Sequence, residues 1–326
     1  MTSVRASSTR SRLKVVVRIA ILLLALGFLA ALVASQWQAL QAFQWQFQPL
    51  WLLPSFALLA AAALLEVSIW RFLLASLGGR LRWRRAAETW FLSNIVRYIP
   101  GNIWQFLGMA ELAADDGVSR VATFTSIALH QVLNMAAGLA LAALYFALAG
   151  QGAWLDALRP ILLLAPLGLL LCHPRLLEGM LNWLLALLKR PPIQVTLTWR
   201  QIGLLLLGYT ATWLVMGSGF ALLAATVTPI TAAQFVALVA TWVAAYVVGY
   251  LSLLTPGGLG VREGVMILLL APLFPAPVPT VIALAARLWV IIGEVAGAAI
   301  ALVARNRDRR TVHAGAPGLR GEAREA

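Results

Sequence analysis

Arg287 and Glu294 sit seven residues apart inside one long apolar run, TVIALAARLWVIIGEVAGAAIALVA. That spacing puts them on nearly the same face of a helix. Each charge costs about 2.5 to 3.5 kcal/mol at a helix centre in a membrane, so the pair requires partners or water. One reading is an ion pair, mutual or between helices. The other is a polar wall for an anionic group, with the planar fork of Arg287 suited to phosphate. A second charged pair, Arg262 and Glu263, follows the stretch LTPGGLG, where Pro256, Gly257, Gly258 and Gly260 interrupt two apolar runs. Broken backbone at membrane depth survives only where protein or a watery cavity covers it. A helix starting there would offer free N–H groups and a positive dipole end to an anion, next to Arg262. Glu263 reads equally as an ordinary N-terminal helix charge, and Arg262 as a topology charge at the inner surface.

The first half of the chain carries a similar break, RYIPGNIW. Pro100 ends a helix, Gly101 allows a tight reversal, and Arg97 is placed either to meet a phosphate or Glu263, or to snorkel to the interface. Interrupted segments at corresponding places in two halves are a sequence pointer to a binding region in membrane transporters. Further along, Ser126, His130, Asn134 and Gly138 recur every four residues, a small and polar stripe that reads first as helix packing. His130 is also a candidate proton relay, because imidazole changes charge near physiological pH. No acidic partner for it is identifiable in the sequence, and Glu66 reads as a partner of Arg71. Asp115 and Asp116, in ELAADDG, read as a capped, solvated turn more readily than as a metal-binding loop.

The elements that must position these residues are membrane helices. The 326 residues are 61% hydrophobic and 11% charged, with a mean hydropathy of +0.86, which defines an all-α polytopic membrane protein. A net charge of +13 would suggest nucleic acid in a soluble chain. Here the arginines lie in tails and short loops, as positive-inside sorting requires, so no nucleic-acid partner is expected. Cys172 is the single cysteine, which excludes an intrachain disulfide and a cysteine metal cluster. There is no Walker loop and no HExxH, so neither ATP-driven pumping nor zinc hydrolysis is indicated, and no metal or cofactor is expected.

Taken in order, residues 1–14 form a basic cytoplasmic tail, 15–304 a transmembrane domain broken at 97–104 and 254–264, and 305–326 a disordered cytoplasmic tail. The spans are expected at about 15–34 (an uncleaved first helix), 50–77, 120–149, up to 171, 202–227, 232–254, a short seventh to 274, and 280–304. Residues 86–112 are expected to enter and return on one side as a re-entrant helical hairpin. Counted as a hairpin, they leave His173, Arg175, Lys189, Arg190 and Arg200 on the inner side. Residues 176–188 read as an amphipathic surface helix. The result is about eight transmembrane helices plus a hairpin, both termini cytoplasmic, with a possible two-fold internal repeat around Pro100 and Pro256.

The stretches TPGGLGVREG, LAARLWV and TWLVMGSGFALL resemble the lysylphosphatidylglycerol synthase transmembrane-region family, flippase-like membrane proteins. The likeness is strongest from Trp213 to Trp289 and places the family's Pro-Gly, Gly and Glu pattern on Pro256, Gly257, Gly260 and Glu263. Its last-helix arginine falls on Arg287, and its first-half Pro-Gly on Pro100 and Gly101. The resemblance implies a bacterial inner-membrane protein that moves or handles a phospholipid or polyprenyl-linked lipid between leaflets. Two-domain members carry a soluble aminoacyl transferase domain; nothing like it follows Ala304, so lysyl transfer is not expected. The partner expected is a lipid with an anionic head group, and no catalytic residue is assigned. The alternatives are an intramembrane transferase using a lipid-phosphate donor, with Glu263 or Asp116 as base or metal ligand, and a non-catalytic partner of a lipid or glycan biosynthesis enzyme.

Overall fold

The computed structural model describes residues 27, 34, 36–95, 104–149, 159–160, 162–187, 192, 197–252, 258 and 260–314. All regular structure in these residues is helical. A short α1 (Trp37–Ala42) and a 3-10 turn (Pro49–Trp51) lead into α2 (Leu52–Ser76), followed by α3 (Trp83–Ile95), α4 (Trp104–Ala114) and α5 (Arg120–Ala149). A 3-10 run (Ala165–Cys172) and α6 (Pro174–Leu187) precede α7 (Trp199–Val227), α8 (Ala232–Leu251), α9 (Val261–Leu270) and α10 (Val278–Ala314).

Among the described residues, five helices are long and apolar enough to cross a membrane: 49–76, 120–149, 199–227, 232–251 and 278–307. The pair 162–172 and 174–187, bent by 78°, makes a sixth if it is one span. The expected first span lies outside the described residues. The helix of the expected short seventh span, α9, has 10 residues, about 15 Å of helix, and the stretch before it, 253–257, lies outside the described residues. The starts of α7 and α8 are written locally. The Thr198 and Thr231 side chains each accept a hydrogen bond from the backbone N–H three residues on, and the Gln201 and Gln234 side-chain oxygens accept one from the Thr backbone N–H. That reciprocal arrangement satisfies donors that lipid cannot.

α3 and α4 have 13 and 11 residues, each too short to span, and they pack against one another. This is the half-length pair that a re-entrant hairpin requires; the turn between them, with Arg97, Pro100 and Gly101, lies outside the described residues.

The element order repeats. Long helix, helix, break, short helix, long helix describes α2 to α5 and again α7 to α10. The packing repeats with it: α2 lies on α7, α3 on α10 as α8 on α5, α3 on α4 as α8 on α9, and α4 on α5 as α9 on α10. Each half therefore docks the first helix of its broken pair on the other half's last long helix. Small residues allow the close approaches, as in lipid-embedded bundles generally. At Gly219 of α7 a Cβ would lie 3.1 Å from the Ser55 carbonyl of α2 and 3.0 Å from the Trp289 ring of α10. Ser55 Oγ donates to the Gly219 carbonyl at 2.8 Å across the same α2–α7 contact. The core at this junction includes the fully buried Phe220, Trp242 and Trp289.

Candidate functional site

The second break ends in two residues whose backbone only glycine adopts readily. Gly258 has φ +70° and Gly260 φ +82°, in the half of φ space where a Cβ clashes with the backbone. Gly258 is also held against α8, where a Cβ would meet the Gly249 carbonyl oxygen at 3.0 Å. From Gly260 the chain turns directly into α9, which places Arg262 and Glu263 in its first turn.

Glu263 is 1% exposed. Its Oε2 accepts the Gly260 N–H at 2.7 Å, so the carboxylate caps the helix that carries it. Glycine has no side chain to reciprocate, and only half of a capping box exists. The other oxygen, Oε1, lies 3.6 Å from Arg287 Nη1 and 3.8 Å from Arg262 Nε. Those separations give Coulomb attraction but exceed hydrogen-bond range, and Oε1 accepts no hydrogen bond. Arg287 reaches this point from α10, which packs on α9.

Arg262 is 5% exposed, which removes the reading of it as a surface topology charge. Its guanidinium carbon lies 5.5 Å from the Trp242 ring centroid and 5.6 Å from that of Tyr246, within cation–π range. Trp242, Tyr246 and Gly249 fall on one face of α8 by their spacing. Gly249 provides the room: a Cβ there would be 3.0 Å from Arg262 Cβ. The indole N–H groups of Trp242 and of Trp289, which meet edge to face at 5.5 Å, are buried and donate to no acceptor among the described residues. An unsatisfied buried donor costs about 1 to 3 kcal/mol, so this aromatic wall holds hydrogen-bonding capacity in reserve.

Of the residues expected in the site, the structure brings together Gly258, Gly260, Arg262, Glu263 and Arg287. Pro256 and Gly257, like Arg97, Pro100 and Gly101, lie outside the described residues. Glu294 stands two turns along α10, about 10 Å from Arg287 by helical rise. Gly293 and Gly297 flank it and let Leu59 of α2 and Phe91 of α3 close on the helix. α10 thus runs from the second broken pair at Arg287 to the first at Gly297.

A sequence model of the lysylphosphatidylglycerol synthase TM region matches residues 15–296. The chain belongs to that family. As a member of the lysylphosphatidylglycerol synthase TM-region family it is a multi-pass membrane protein of a lipid-related group, and the match ends within α10, past Arg287 and Glu294. No curated protein and no solved structure matches the chain.

His130 belongs to a separate cluster in this family member. Its Nδ1 lies 2.8 Å from the Tyr209 hydroxyl on α7, and its Nε2 lies 3.5 Å from Glu66 Oε2 on α2. Glu66 was expected to pair with Arg71; instead Arg71 Nε donates to the Leu81 carbonyl at 2.8 Å, closing the turn after α2. The rest of the stripe packs as expected. Ser126 accepts from Trp70 Nε1 at 3.1 Å, the Asn134 carbonyl accepts from Trp213 Nε1 at 3.0 Å, and Gly138 leaves room for the Trp213 ring. Asp116 is held in its turn by Arg85 Nε, at 3.1 and 3.0 Å to its two oxygens, while Arg85 also bridges to the buried Glu88.

Sequence reasoning missed the Trp242–Tyr246–Trp289 wall and the Glu66–Tyr209 partners of His130. The first had a signal in the spacing of Trp242, Tyr246 and Gly249. The second had none, because its three members come from three helices far apart in the chain.

Proposed function

We propose that this protein moves a lipid with an anionic head group between the leaflets of the bacterial inner membrane, both termini lying on the cytoplasmic side. The observation that carries the reading is the buried Glu263 carboxylate at a helix break, one oxygen spent on capping and the other facing two arginines beyond hydrogen-bond distance. Membership of a lipid-related membrane family supports the class of substrate.

In this reading Glu263 stands in for a phosphate. A head-group oxyanion entering the cluster takes the fork of Arg287 and the face of Arg262, while Glu263 remains on the Gly260 N–H and keeps α9 capped. The free indole N–H groups of Trp242 and Trp289 supply donors that a phosphodiester or its glycerol hydroxyls can use. Acyl chains stay in lipid. Counting the bent 162–187 pair as one crossing makes α2 and α7 run in opposite directions. The two halves are then inverted repeats, the arrangement that gives alternating access by rocking one half against the other. The work is binding and movement, with no bond made or broken.

The test is leaflet exchange of a fluorescent phosphatidylglycerol in proteoliposomes, read by quenching of the outer-leaflet probe. The wild-type protein is expected to speed exchange over empty vesicles. Arg287→Ala is expected to slow it about tenfold or more, the equivalent of about 1.4 kcal/mol. Equal rates for the variant and the wild type would remove the role assigned to Arg287.

A further inference from the structure

We infer that Glu66, His130 and Tyr209 form a proton-binding site whose charge state sets the packing of α5 on α2 and α7. The inference goes beyond the lipid reading, supplying it with an energy source, but stands on its own geometry. The imidazole is sandwiched between a carboxylate and a phenol. Nε2 faces Glu66 Oε2 at 3.5 Å, Nδ1 meets the Tyr209 oxygen at 2.8 Å, and the ring sits edge to face with both Tyr209 and Trp90 at 5.1 Å between centroids.

Exposure falls along the triad. The Glu66 side chain is 21% exposed and that of His130 7%, and Tyr209 is fully buried. A proton therefore arrives by way of Glu66 and is held at His130. With Nδ1–H donating to the Tyr209 oxygen, the neutral imidazole turns the lone pair of Nε2 toward Glu66. On uptake the proton passes from the Glu66 carboxyl to Nε2, so both ring nitrogens donate and Glu66 is left as the carboxylate. Proton binding thus creates an ion pair between α5 and α2 while the hydrogen bond between α5 and α7 is kept on a now charged ring. Since α2–α7 and α5–α7 are both contacts between the two halves, the switch lies where the halves meet.

No other charge competes for the imidazole among the described residues. On α3 the acid Glu88 is held by Arg85, and only the Trp90 ring faces His130. On α4 Glu111 is taken by Arg120 at the exposed start of α5. The other cation of α2 near this level, Arg71, is bound to the Leu81 carbonyl. α7 carries a charge only at its first turn, Arg200. α8 and the 3-10 run are uncharged; their Tyr246 ring packs on Trp213 and Cys172 is buried.

The test has two readouts on the full chain in phosphatidylethanolamine–phosphatidylglycerol vesicles. In the first, imidazole nitrogens are labelled and His130 is assigned by its loss in His130→Gln. Across a wide pH range the His130 signal is expected to pass from neutral to charged, and Glu66→Gln is expected to change that response, while Tyr209→Phe alters the Nδ1 shift. A His130 signal constant over that range, or one indifferent to Glu66→Gln, overturns the proton site whether or not the protein moves lipid. In the second, exchange of fluorescent phosphatidylglycerol is followed with and without an imposed pH gradient. A severalfold acceleration by the gradient, absent in His130→Gln and Glu66→Gln, is expected. Exchange that occurs but ignores the gradient overturns the coupling, while no exchange at all in the wild type overturns the lipid reading and leaves the titration result to decide the proton site.

Discussion

The two buried charge clusters are built on opposite principles. At the second helix break a carboxylate faces two guanidiniums, groups that stay charged at any physiological pH, across gaps of 3.6 and 3.8 Å. At the junction of α2, α5 and α7 a carboxylate faces an imidazole that is itself bonded at 2.8 Å to a phenol, and every member has a neutral form. Fixed charges that face Glu263 at 3.6 and 3.8 Å suit exchange of that carboxylate for a second anion. Titratable groups, one of them hydrogen-bonded to a phenol at 2.8 Å and facing a carboxylate at 3.5 Å, suit a change of protonation. The difference teaches that charge buried in this bundle serves two separable tasks, and it predicts how differently the clusters respond to mutation.

The largest effect is expected where fixed charges lose their counter-charge. Glu263→Ala removes both the helix cap and the partner of Arg262 and Arg287. Breaking a buried pair from one side costs about 3 to 5 kcal/mol, to be read as a lowered unfolding midpoint in detergent. In an Arg287→Ala background the same substitution is expected to cost clearly less, because one of the two charges that face Glu263 is already gone. Additive losses in that double-mutant cycle would mean the two residues do not interact.

Gly258→Ala comes next. Left-handed backbone costs a residue with a Cβ about 1 to 2 kcal/mol, and the 3.0 Å approach to the Gly249 carbonyl adds to it by pushing α9 off α8. Loss of bound lipid together with stability is the outcome expected. A fully stable, lipid-retaining variant would show that the break is not held as described.

Glu66→Gln and Tyr209→Phe are expected to cost only about 0.5 to 1.5 kcal/mol each, the value of a single neutral hydrogen bond. A loss as large as that of Glu263→Ala would erase the contrast between the clusters.

The smallest effect belongs to the exposed pair outside the bundle. The hydrogen bond from Arg120 holds the Glu111 carboxylate below its usual range. A depressed carboxylate stabilises the fold above its unfolded-state value and loses that contribution as pH falls through the folded one. Glu111→Gln is expected to leave stability at neutral pH nearly unchanged, since exposed pairs contribute little, and to flatten the acid side of the stability curve slightly. A substantial loss at neutral pH would mark this pair as structural.

Much of this arrangement was legible in the chain. The apolar runs expected at 202–227 and 232–254 located α7 and α8, and the clustered glycines around Gly258 and Gly260 marked the break. The charged residues after the break and in the last helix were identifiable as needing partners, since lipid gives them none. Their actual pairing was not legible: Glu263 meets Arg287 through the packing of α9 on α10, and periodicity says nothing about which helices touch. The last turn of α9 was not legible for a related reason. Its apolar run continues to Phe274, but Ala271 to Phe274 form turns leading to Pro275 and Pro277, and composition alone does not separate a last helical turn from an apolar loop. Glu66 was assigned to Arg71 on nearness in sequence, whereas the Leu81 carbonyl, in the connection between α2 and α3, accepts from that guanidinium.

The account rests on the Arg262–Glu263–Arg287 cluster being where an anionic head group sits, and native mass spectrometry of the gently purified protein tests this most directly. Lipids retained by the wild type are compared with those retained by Arg287→Ala, with Tyr209→Phe as a variant altered at the other cluster. A specific anionic lipid bound to the wild type and to Tyr209→Phe, and lost from Arg287→Ala, is the predicted result. The same unselective lipid profile in all three would contradict it.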